Sequence, residues 1–148
     1  MADHMRQQIR DAVVTAVTGL TTTGSNVFNA REWPQEAGDL PALRVYTPDE
    51  ESEPDNMTRP RSMERSLELV IEGIARATSG VVGTLDTIAA EVEAALGNNL
   101  LSGKVKDMHL ARTESPAHDV TGNRPVGLIR LTYAVSYRTP EADPTTGA

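Results

Sequence analysis

The residues equipped for chemistry in this chain are three histidines, one near-motif and a run of carboxylates. His4, His109 and His118 are far apart, and none has a second histidine or a carboxylate at helical ligand spacing, so no zinc or iron site is expected. Asp119-Val120-Thr121-Gly122 is one valine away from the Asp-Thr-Gly turn that two-carboxylate proteolysis uses. The valine breaks the motif and no second copy exists, so a tight loop is the better reading. The run from Asp49 to Asp55 offers hard oxygen ligands for Mg²⁺ or Ca²⁺, but it lacks the glycine and the alternate-residue spacing of a calcium loop. A solvated stretch of mutually repelling charges explains it as well. There is no glycine-rich phosphate loop, nucleophile elbow or Cys/His pairing. The chain is expected not to be an enzyme.

Composition narrows the partners. With 21 acidic and 14 basic residues in 148, the net charge is −7. That balance disfavours tight binding to nucleic acid, which is built from clustered Lys and Arg. One Phe, one Trp and three Tyr leave little for stacking on bases. Cysteine is absent, which rules out disulfides and thiolate metal sites and fits a reducing compartment. No apolar run approaches the ~20 residues of a membrane helix, and the start M-A-D-H-M-R has no signal-like core. A single soluble domain over 1–138 is expected, followed by a disordered tail over 139–148.

The elements that must position any site are read from periodicity. Val126 to Arg138 alternates, with Ile129, Leu131, Tyr133, Val135 and Tyr137 on one face and Leu128, Arg130, Thr132, Ala134 and Ser136 on the other. This predicts a strand with one dry face, roughly 40 Å long and central to the sheet. Met5, Ile9, Ala12, Val13, Ala16, Val17 and Leu20 recur at helical spacing, with Asp3 as N-cap and Gly19 as the end. A short strand is expected near 26–30, and another between Pro41 and Pro48. Asp49 to Pro60, with five carboxylates and two prolines, is expected to be a mobile acidic loop extending to 61. A long strand carries Leu67, Leu69 and Ile71. A helix from Ser79 to Gly97 buries Val81, Val82, Leu85, Ile88, Ala89, Val92, Ala95 and Leu96. Val105, Met108 and Leu110 suggest a bulged strand. The predicted fold is α+β, with order α-β-β-β-α-β-β: a mixed, mainly antiparallel sheet of four to five strands, with two helices on one face. The other face, with Arg130, Thr132 and Ser136, is left for solvent or a partner.

Three stretches carry a resemblance. R-Q-Q-I-R-D-A-V-V-T-A-V at the start, P-A-L-R-V-Y at the proline-led strand and L-T-Y-A-V-S-Y at the closing strand are similar to the bacteriophage tail terminator proteins, the family of the lambda minor tail protein U. The order of elements between them fits as well. The resemblance implies a structural virion protein at the tail–neck junction, assembled in the host cytoplasm. In such a protein a homohexameric ring caps the tail tube, ends its elongation and offers its other face to the head–tail connector. DNA would pass through the bore without specific binding. No cofactor is implied, and aid to ring closure by Mg²⁺ at the acidic run stays open. Another phage neck or tail-completion protein, or a small oligomeric α+β binding module, is the alternative.

Candidate interface residues follow from type and position. Trp33 either covers a core edge or anchors a contact. Asp49, Glu50, Glu51 and Glu53 supply negative charge, and Arg59 and Arg61 beside them either pair with carboxylates of a neighbouring subunit or are surface salt partners of little consequence, the second being the better reading. Arg130 stands on the open face of the closing strand.

Overall fold

The computed structural model describes residues 3–29, 41–76, 81–115, 119–121 and 124–147. Helix α1 spans Met5–Val17. Its i, i+4 series Met5, Ile9, Val13 and Val17 is buried, while Gln7 and Gln8 face outward. The N-cap is His4 rather than Asp3: its Nδ1 accepts the Arg6 N–H at 3.0 Å. Burial first, then the Arg6 and Arg65 charges, lower its pKa, which favours the neutral ring that such a cap requires. Gly19 (φ +90°) ends the helix in a conformation that side chains disfavour, and donates its N–H to Gly24.

Among the described residues the sheet has seven strands: β1 (Val27–Asn29), β2 (Ala42–Tyr46), β3 (Glu50–Pro54), β4 (Ser62–Arg76), β5 (Asp107–Glu114), β6 (Asp119–Thr121) and β7 (Arg124–Pro140). Their order is β1-β2-β4-β7-β5, with β3 also on β4 and β6 also on β7. Only β1 and β2 pair in parallel. All 15 residues of β4 are in register with β7, from Ser62 opposite Pro140 to Arg76 opposite Val126. This ladder is the spine of the molecule. On the outer edge of β4, β2 and β3 follow each other end to end, at Val70–Ile74 and Met63–Leu67 respectively. Helix α2 (Val81–Leu96) makes the crossover from β4 to β5, and β5 pairs with β7 as the adjacent antiparallel partner, its register slipping between Leu110 and Arg112.

The fold class is the α+β arrangement that the periodicity predicts. Ile129, Leu131, Tyr133, Val135 and Tyr137 all lie in the core, with Leu85, Ile88, Ala89, Val92 and Leu96 of α2 and the buried row of α1. Val82 stands outside that row, 59% exposed.

Two whole segments also depart from expectation. The acidic stretch 49–61 is not one loop: Glu50–Pro54 is strand β3, paired along its length with β4. A charged edge strand needs no hydrophobic alternation, because backbone hydrogen bonds on one side hold it while its side chains stay wet; charge and proline on such an edge also discourage stray pairing. The tail beyond 138 is not loose either. Thr139 is fully buried, the Pro144 carbonyl accepts the Met5 N–H at 2.8 Å, and the Thr145 carbonyl accepts from Gln8 Nε2 at 2.9 Å. The first of these bonds satisfies a donor at the start of α1 that the helix itself leaves open.

Candidate functional site

Two polar clusters and one trough are built on this spine. On the helix side, β3 turns Glu50 inward. Its carboxylate accepts from Arg6 (3.1 Å), Arg65 (2.9 Å) and the Tyr137 hydroxyl (2.8 Å). Burial pushes the Glu50 carboxyl upward, but hydrogen bonds from Arg65, Tyr137 and Arg6 outweigh it and hold the group below its ordinary range. Burial, with the Glu50 carboxylate close by, pushes the Tyr137 phenol up. Because the folded-state value of Glu50 is depressed, its contribution to stability is complete above the ordinary value of 4.5 and is lost as pH falls through the folded value. Tyr137→Phe is expected to cost about 1.5 kcal/mol at neutral pH, as the loss of a hydrogen bond to a charged group. It should also flatten the decline of the urea midpoint on acidification, since one of the groups depressing Glu50 is gone. An unchanged midpoint at neutral pH and an unchanged acid slope would contradict this.

The second cluster lies on the face away from the helices. The strand register sets Arg44, Glu72 and Arg130 side by side across β2, β4 and β7, with Glu114 of β5 next. Glu72 is fully buried and Arg44 is 7% exposed. Arg44 donates to Glu72 through Nε at 2.7 Å and also through Nη2, while Arg130 Nε reaches the other oxygen at 3.0 Å. The row continues to Glu114, 4.0 Å from Arg130 and 3.6 Å from Arg112. The Arg44 guanidinium also sits 5.6 Å from the centre of the Tyr46 ring. Every charge in the row has an opposite charge beside it, which marks it as structural.

Beside this row the same face opens into a trough of about 610 Å³. Ser66, Thr132, Ala134 and Ser136 form its floor, all small, so the sheet surface is hollow there. Asp49, Glu51 and Glu68 stand along one wall and Asp107 along the other. Asp107 pairs with His109 at 3.5 Å, whereas Asp49, Glu51 and Glu68 form no ion pair among the described residues.

The interface candidates therefore separate. Asp49 and Glu51 face the trough and Glu53 is exposed, but Glu50 is turned into the core and cannot serve as a free surface charge. Arg61 is held by its own chain's Glu141 at 2.6 Å, and Arg130 by Glu72, so neither is a loose cation awaiting a partner. Arg59 is exposed in the β3–β4 turn. Trp33 and His118 lie outside the described residues. Sequence reasoning missed Arg44 and Glu72, although a glutamate within L-V-I-E-G-I was a signal of a buried charge needing a partner.

Among the described residues no group of three or more His, Asp and Glu side chains is placed to hold a metal, and no helix is long and apolar enough to cross a membrane. No family model matches the chain, and no curated protein does. Among solved structures, a chain from one described as the virion of native gene transfer agent (GTA) particle is similar, with 19% identity, 92% of each chain covered and a TM-score of 0.43.

Proposed function

We propose that this chain is a non-catalytic structural protein of a tailed phage or phage-like particle: a subunit of a homohexameric ring that caps the tail tube, ends its elongation and presents its other face to the head connector. One observation carries the reading. The three stretches that resemble tail terminators fold as α1, β2 and β7, each of which contributes buried residues to the core, while the acidic departure from that pattern folds as the edge strand β3. A heterologous contact repeated by rotation closes into a ring whose two faces are different surfaces. One face then matches the tube end, and the other lacks what an incoming tube subunit needs. Elongation stops with no bond made or broken.

Light scattering across concentrations, with and without Mg²⁺, is expected to give a hexamer, either alone or once tube ends are added. Tubes polymerised in the chain's presence should be shorter and capped when viewed by electron microscopy. A stable dimer with no effect on tube length would overturn the reading.

A further inference from the structure

The turn between β3 and β4, residues 55–61, is a projecting feature with an unusual tip. Met57 is 87% exposed, more than any other large apolar side chain among the described residues. Arg59, two residues on, is exposed and makes no hydrogen bond or ion pair among them, though its charge, after that of Arg61, helps lower the Glu141 carboxyl pKa. The turn itself is pinned. Asp55 donates its N–H to the Ser62 carbonyl at 2.8 Å, its carboxylate meets Arg138 at 3.6 Å, and Arg61 is tied to Glu141. An apolar tip and a cation are thus held out on a braced support, which lowers the ordering cost of a contact.

The trough offers the complement. Its floor of Ser66, Ala134 and Ser136 leaves room for an unbranched side chain, and methionine adapts well to such a surface. Its wall of Asp49, Glu51 and Glu68 carries three carboxylates in no ion pair among the described residues, while Arg112, which also lines the trough, pairs with Glu114. The turn cannot fold back into its own trough: Ser66 lies five residues up β4 from Arg61, roughly 16 Å along a straight strand.

We propose that the β3–β4 turn of one copy docks into the trough of the next, with Met57 against the small-residue floor and Arg59 among Asp49, Glu51 and Glu68. Turn and trough are different surfaces of one chain, so the contact is heterologous and propagates by rotation, as a closed ring requires. The inference rests on the ring reading and names the contact that closes it.

The absence of cysteine provides the test. M57C and S66C are made singly in the full chain, mixed and oxidised, and disulfide-linked pairs are mapped by mass spectrometry. A link between copies that joins position 57 of one to position 66 of the other is expected in the mixture, because a disulfide forms only where the two backbones come within about 7 Å. In parallel, R59E and E51R should each weaken assembly by about tenfold or more, and the two reversals combined should restore most of it. Rings that form normally with no such link, and with R59E assembling like the parent, would overturn the contact and leave the ring reading standing. A link from S66C to added tube protein alone would give the trough to the tube and also overturn it. A parent chain that stays monomeric even with tube ends would overturn the ring, and this contact with it.

Discussion

Glu72→Leu is expected to destabilise the fold by about 3–5 kcal/mol, the cost of breaking a buried ion pair by removing one member. Arg44 is 7% exposed and lies beside Glu72 on the neighbouring strand, so its guanidinium is held away from bulk water. Arg130 is better placed. Its side chain is 34% exposed and already has Glu114 within 4.0 Å, so it can turn outward when Glu72 is lost. The penalty therefore falls on Arg44, and that asymmetry is testable. Arg44→Met combined with Glu72→Leu should cost far less than Glu72→Leu alone, because the buried cation leaves together with its carboxylate and the replacements approximate the lost volume. Urea unfolding at neutral pH reads this directly as midpoints at a common slope. If Glu72→Leu falls within about 1 kcal/mol of the parent, or if the double variant is no better than the single, the buried row is not the strut that its geometry describes.

How legible this was depends on what the chain was asked to bury. β7 could be read along most of its length because one of its faces is dry and the other is wet, which is the condition under which period two appears in sequence. The interior part of β4 is different. Val70, Glu72 and Ile74 are as buried as Leu69 and Ile71, so alternation fades there and the buried glutamate reads as a surface residue unless its partners are known. Those partners, Arg44 and Arg130, are 28 and 58 residues away and meet only through strand register.

The acidic stretch failed for the opposite reason. β3 buries almost no apolar surface, with every residue after Glu50 exposed, so no hydrophobic pattern announces it. Its backbone pairing with β4 and the inward turn of Glu50 onto Arg6, Arg65 and Tyr137 are long-range facts. The tail is a similar case. T-P-E-A-D-P-T-T-G-A has the composition of a disordered end, yet its carbonyls meet the open N–H of Met5 and the side chain of Gln8. Local composition cannot report a partner at the other end of the chain. The same limit holds for the trough, whose floor residues are ordinary Ser, Thr and Ala until the sheet places them together.

Gly73→Val should be the other severe substitution, at about 2–3 kcal/mol, through crowding rather than charge. Gly73 lies in β4 opposite Ile129 of β7 and directly beneath Ile88 of α2. A Cβ there would stand 2.9 Å from Ile88 Cγ2, closer than packed carbons tolerate, and 3.1 Å from Ile129 Cγ2, tight enough that Ile129 must give. Its backbone is ordinary strand, so the constraint is the helix and not a turn. α2 can approach β4 this closely because one position on its landing track has no side chain. Valine adds two methyl groups to the clash, and α2 must lift or slide. Trimming the neighbour supplies the control: in Gly73→Ala the added methyl meets chiefly Ile88 Cγ2, so Ile88→Ala, which removes that carbon and costs about 2–5 kcal/mol alone, should cost less in the Gly73→Ala background. A coupling energy of about 0.5 kcal/mol or more in a double-mutant cycle on urea midpoints would place the helix on the glycine. Strict additivity would mean that α2 yields without cost, and that the close contact does not set the height of the helix above the sheet.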